Sequence, residues 1–253
     1  MSLRNAVLFV AALACLSATA FVAQRFVFGR EVRDDLVVSS AAPRYATAPT
    51  PAAPAAPQTA SRRQASGVPL VDAAWAARTA RAAGIPEPAL LAYARATLMA
   101  PSGCGVGWTT LAGLGWVESQ HGTIGGRTIG ADGRSSTPIL GPALDGVGKV
   151  AAIRATPEST TWHGDPEWDH AVGPLQFIPS TWETWSSDGD GDGVADPNDL
   201  DDAAYAAVRY LCADGYDLAT GPGWSAAVFA YNHARVYVDA VYAAASAYAD
   251  RTS

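Results

Sequence analysis

Between Ser39 and Gly67 the chain contains nothing from which a hydrophobic core can be built. Pro43, Pro49, Pro51, Pro54 and Pro57 recur among alanine, threonine and serine, with no apolar periodicity. Such a segment stays disordered or extends as a polyproline-like spacer. It divides the chain, so a folded body has to be built from about residue 68 onward. We place the linker at residues 29–67 and the folded domain at 68–253, long enough for one domain with a real core.

The segment before the linker reads as an export signal or an anchor, over residues 1–28. Arg4 precedes Ala6–Ala23, a run with no charged residue that is about long enough to cross a bilayer. Ala18-Thr19-Ala20 has the small residues of a cleavage site. Cleavage and retention both fit, since Arg25, Arg30 and Arg33 follow the run and only Arg4 precedes it. Cys15 faintly resembles a lipoprotein box, but the apolar residues after it argue against that use. The expected location is the cell envelope, either membrane-anchored or secreted into the wall.

Charge is unevenly shared. The chain carries a net −7, but residues 1–66 hold seven Lys/Arg and three Asp/Glu, and residues 67–253 hold ten and twenty-one. An acidic body is a poor match to nucleic acid, which needs clustered positive charge. It suits an exported domain, or one that binds divalent cations. With Cys15 in the export segment, two cysteines remain for the body. In an oxidising compartment an even pair implies a disulfide, Cys104–Cys212, with two buried thiols as the alternative.

The body reads as α+β and mostly α. Asp72 can cap a helix that runs to Ala83 and stops at Gly84. Pro86 and Pro88 open a second, to about Met99, and a third runs from near Trp108 to Ser119. Residues 122–148 are glycine-rich, which suits loops or short strands. Ser180 can cap a short helix to Trp185, and further helices fit Asp201–Ala213, Gly223–Tyr231 and Arg235–Ala249.

Two groups of residues carry chemistry. Glu118 closes the apolar stretch Leu111-Ala112-Gly113-Leu114-Gly115-Trp116-Val117. Apolar neighbours and the negative end of a helix both disfavour its anion, raising its pKa as a glycosidase acid requires. The second group is the run from Asp188 to Asp199. An EF-hand loop takes oxygen ligands at positions 1, 3, 5, 7, 9 and 12, with glycine at 6. Asp188, Asp190, Asp192, the Val194 carbonyl, Asp196 and Asp199 occupy those positions, and Gly193 is the glycine. Such hard ligands point to a structural Ca²⁺, although an aspartate at position 12 is shorter than the usual glutamate. A solvated acidic loop is the alternative. No organic cofactor is expected.

Three strings, in order, resemble the lysozyme-like lytic transglycosylases, and most nearly their membrane-bound lytic transglycosylase B-like branch. They are Gly115-Trp116-Val117-Glu118-Ser119-Gln120-His121-Gly122, then Gly173-Pro174-Leu175-Gln176-Phe177-Ile178-Pro179-Ser180, then Ala230-Tyr231-Asn232. The branch also carries an EF-hand-like loop. The resemblance implies a lysozyme-like SLT-type domain that cleaves peptidoglycan glycan strands between N-acetylmuramic acid and N-acetylglucosamine. Glu118 would act as acid and then base, giving a 1,6-anhydro product. Ser119, Gly173, Gln176, Phe177, Tyr231 and Asn232 would position or bind the sugar. The chain departs from the family at His233-Ala234-Arg235, where many relatives have a glycine, and at Leu175, where many have methionine. A muramidase that hydrolyses the same bond, or a silent peptidoglycan-binding protein, would keep much of the same pattern. A monomer is expected, with the membrane as partner only if the N-terminal segment is retained. His121, His163, His170 and His233 show no metal spacing, although His121 lies close enough in sequence to modulate Glu118. Trp162, Trp168, Trp182, Trp185 and Trp224 are candidates to stack on sugars, with the core as the commoner use.

Overall fold

A computed structural model describes residues 67–148 and 150–253. The export segment and most of the linker lie outside the described residues. Among the described residues no helix is long and apolar enough to cross a membrane.

Eight helices and one small sheet make up the described chain: α1 (Ala73–Ala83), α2 (Glu87–Leu98), α3 (Trp108–Ser119), β1 (Leu140–Ala143), α4 (Pro157–His163), β2 (His170–Val172), α5 (Pro179–Trp185), α6 (Leu200–Cys212), α7 (Gly221–Tyr231) and α8 (Arg235–Thr252). This is the mostly helical α+β class expected. The N-terminal signals were legible because they act locally. Asp72 accepts from the Trp75 amide, and Gly84 ends α1 in the left-handed conformation. Two starts differ. Pro179, not Ser180, opens α5, with Ile178 before it and no side-chain cap. Asp199 caps α6 through the Asp201 amide. Helix α4 lies beyond the glycine-rich stretch and outside the helices read from the sequence, and a Thr156–Ser159 capping box starts it.

Helix α3 is the centre. It is apolar on every side, and Trp108 through Gly115 are all buried. Its two glycines allow neighbours to close in. A Cβ on Gly113 would stand 2.9 Å from the Val241 carbonyl of α8, and one on Gly115 would collide with the Tyr93 hydroxyl of α2. Helices α2 and α8 thus reach the α3 backbone, and α6 packs across α2. Strands β1 and β2 pair antiparallel, with Leu140 opposite Val172 and Ala143 opposite His170.

Cys104 and Cys212 form the expected disulfide, with Cα atoms 5.5 Å apart. It ties the approach to α3 to the end of α6.

Candidate active site

Glu118 lies in the last turn of α3, and its surface is only partly exposed. Protein closes around the carboxyl group, and loss of hydration raises its pKa from 4.5 to about 7. A hydrogen bond from the Tyr237 hydroxyl to Oε1, 2.5 Å long, opposes that rise. The group is therefore poised to hold a proton near neutrality and to release it.

Opposite the end of α3 stands a turn over residues 173–176, immediately after β2. Val172 and Phe177 exchange backbone hydrogen bonds across it, and the Gln176 amide donates to the Gly173 carbonyl at 3.1 Å. Ser119 joins this turn to α3. Its buried hydroxyl donates to the Pro174 carbonyl at 2.5 Å and accepts from the Gly122 amide at 2.8 Å. Tyr231 joins the same turn to α7, donating to the Leu175 carbonyl at 2.9 Å. The structure thus brings Glu118, Ser119, the Gly173–Gln176 turn and Tyr231 together from three separate parts of the chain.

Within the turn the roles are distinct. Gly173 has φ +79°, and a Cβ there would lie 1.8 Å from the Pro197 carbonyl oxygen. Its close approach is thus to the acidic loop of its own chain. Gln176 also has positive φ, 51°, and is held by its side-chain amide donating to the Gly173 carbonyl at 2.8 Å. Phe177 corrects the expectation of a sugar contact. It is 3% exposed, edge-on to Trp182 and Tyr231, and supports the turn from behind. Asn232 is exposed at the end of α7, next to Tyr231.

His121 is buried. It sits between the Tyr93 hydroxyl, 3.1 Å from Nδ1, and the Tyr248 hydroxyl, 2.8 Å from Nε2. Burial lowers its pKa to about 3, so it is neutral and serves the packing of α2 and α8 on α3. Trp182 and Trp224 belong to the core, and Trp168 is covered by the Arg154 guanidinium at 3.9 Å.

The acidic loop closes differently from the twelve-residue count. Asp188 and Asp190 converge with Asp202, which lies two residues into α6, and one oxygen from each lies within 4.8 Å of the others. Asp202 accepts from the Gly189 amide at 2.7 Å and the Asp196 amide at 2.9 Å, so it folds the loop back on itself. Asp192 and Val194 are exposed on the loop, and the Val194 amide donates to Asp192. Asp196 and Asp199 are used elsewhere. Against the cost of burial, Arg134 and Asn198 hold the Asp196 carboxyl below its usual range, with Arg134 at 2.6 Å. Asp199 caps α6 and faces Arg134 at 3.8 Å. Burial, with Asp199 and Asp190 nearby, pushes Asp202 up to about 7. Carboxylate oxygens converging in this way fit a hard cation such as Ca²⁺.

Two residues of interest carried no usable signal in the sequence. Asp202 was hidden by the fixed loop spacing. Tyr237 lies 119 positions from Glu118, and no local pattern links them.

The site is thus a carboxyl at the end of α3, joined through its neighbour Ser119 to the Gly173–Gln176 turn. Residues 161–228 match the family model described as the Transglycosylase SLT domain. That span includes the Gly173–Gln176 turn and the acidic loop, while Glu118, Ser119, Tyr231 and Asn232 lie outside it. In structure the chain is similar to the Escherichia coli lytic transglycosylase Slt35 solved in complex with bulgecin A, with 15% identity and a TM-score of 0.44, over 76% of this chain and 77% of that one. No curated protein matches the chain in sequence. Over residues 161–228 the chain is thus similar to a transglycosylase SLT domain.

Proposed function

We propose that this chain is an exported lytic transglycosylase that cuts the β-1,4 bond between N-acetylmuramic acid and N-acetylglucosamine, with Glu118 as acid and then base. The observation that carries the reading is a carboxyl whose pKa stands at about 7, held by hydrogen bond and burial beside the Ser119-anchored turn.

The steps balance without water. Glu118 gives its proton to the glycosidic oxygen as the bond from muramic C1 breaks, and the bonding pair stays on that oxygen. The carbonyl oxygen of the substrate's acetamido group bonds to C1. Glu118, now a carboxylate, takes the proton of the sugar's own 6-hydroxyl, and that oxygen displaces the acetamido oxygen at C1. A 1,6-anhydro ring results and Glu118 regains its proton. Substrate assistance takes the place of the second carboxylate that most glycosidases use. Gln176, Tyr231 and Asn232 line the sugar's path, and Ser119 and Gly173 hold the backbone geometry.

A calcium ion held by Asp188, Asp190 and Asp202 would order the loop that carries Pro197 against Gly173. Its role is structural. Residues 1–28 serve as signal or anchor and 29–67 as spacer, so the domain works in the cell envelope, as a monomer.

The test is mass spectrometry of purified peptidoglycan after digestion by the protein and by Glu118→Gln. Muropeptides one water lighter than hydrolysis products, absent with the variant, are expected. Ordinary reducing ends that depend on Glu118 would make it a muramidase. Glycan binding without turnover by the folded protein would make it a binding protein.

A further inference from the structure

The Tyr237 hydroxyl has one proton to donate, and it is spent on Oε1 of Glu118. Tyr237 stands in the first turn of α8 and is 7% exposed. Burial, and then the charge of Glu118, raise its own pKa well above 10.0, so it remains a donor wherever a glutamate acid operates. Its ring is stacked with that of Tyr231, with planes 6° apart and centroids at 6.5 Å. Tyr231 is in turn fixed by its bond to Leu175 and by the edge-on rings of Phe177 and Tyr210. The hydroxyl that meets Glu118 is therefore held by packing on one side and by a catalytic-turn contact on the other. Burial and then the charge of Glu118 raise the pKa of Tyr231 on α7 as they do that of Tyr237 on α8, and both rings face the carboxyl as neutral phenols.

A carboxylic acid carries its proton on one oxygen only. When Oε1 accepts a hydrogen bond from a fixed donor, the neutral acid is favoured with its proton on Oε2. We propose that Tyr237 is a positioning residue for Glu118: by occupying Oε1 it confines the transferable proton to Oε2 and fixes the carboxyl plane. The same bond becomes charge-assisted once Glu118 has given its proton away, which steadies the carboxylate until it acts as base. The inference rests on the reading of Glu118 as the acid.

The test is Tyr237→Phe in the full chain, which keeps the ring and its stack on Tyr231 and removes only the hydroxyl. A hydrogen bond to a charged group is worth about one pH unit of titration or somewhat more. Carbon-13 NMR of the Glu118 carboxyl is expected to show its titration moving up by about that much. In turnover, kcat is expected to fall about tenfold with KM within about twofold, and the alkaline limb of the pH profile to move up with the titration. Placing 3-fluorotyrosine at position 237 keeps the fold and makes the donor stronger, so the Glu118 titration is expected to move down. An unmoved titration in both variants, or an unchanged kcat in Tyr237→Phe, overturns the proposal. Turnover that survives Glu118→Gln overturns the reading of Glu118 itself, while the titration separately decides whether Tyr237 governs that carboxyl.

Discussion

The carbonyl oxygen of Pro197 stands 1.8 Å from the position a Cβ on Gly173 would take. One residue belongs to the acidic loop and the other begins the turn that receives Ser119 and Tyr231. The loop and the turn are thus in direct backbone contact, and the glycine is what permits it. Gly173→Ala meets two penalties, a left-handed φ and a collision with backbone that has no rotamer to yield. Destabilisation of about 2 kcal/mol or more is expected in urea denaturation. Activity on peptidoglycan is expected to fall further than stability accounts for, because the turn must shift away from Ser119.

Glu118 makes the folded state sensitive to pH in a defined direction. Its folded pKa of about 7 lies above the ordinary 4.5, so between those values the folded state binds more protons than the unfolded one. Its contribution is fully present below about pH 4.5 and is lost as pH rises through about 7. Glu118→Gln removes the titration. The variant is expected to gain on the wild type by on the order of 1–3 kcal/mol as pH rises from 4.5 to 7.5. Denaturation curves of both proteins across that range check it, and a constant difference would sink the assignment of the raised pKa.

Calcium dependence distinguishes the two ligand sets for the acidic loop. With Asp188, Asp190 and Asp202 as the ligands, Ca²⁺ at about a hundred times its Kd stabilises the wild type by roughly 2.7 kcal/mol over the chelated protein. Asp202→Asn is expected to abolish most of that gain. Asp199→Asn, which can still cap α6, is expected to keep it. Thermal unfolding with calcium and with chelator measures both, and the reverse ranking would restore the twelve-residue set.

The disulfide closes a long stretch of chain, with its cysteines 108 residues apart. In the chain-entropy model such a closure stabilises by about 4–5 kcal/mol. Cys104→Ala/Cys212→Ala is expected to unfold at markedly lower urea concentration with a similar cleavage product, since neither cysteine adjoins Glu118 in the fold described above. Denaturation of the double variant beside the oxidised wild type reads this directly.

What the sequence determined by itself was decided over short distances or by elimination. Asp72 and Gly84 bound α1 because a cap and a left-handed stop act within one turn. Glu118 was legible as a candidate acid because it closes an apolar helical stretch. Cys104 and Cys212 were each other's only partners in the folded body. The proline-rich segment excluded itself from any core. The tertiary structure decided the rest. Tyr237 reaches Glu118 only because α8 lies directly on the α3 backbone at Gly113. Asp202 turns back to the loop amides of Gly189 and Asp196, while Arg134, from a distant loop, engages Asp196 and Asp199. Phe177 and His121 were drawn into the core by Trp182, Tyr93 and Tyr248, from three other helices. Caps, breaks and apolar runs are properties of a segment. Which oxygen meets which hydroxyl across a hundred residues depends on how the helices dock, and docking is set by the whole core at once.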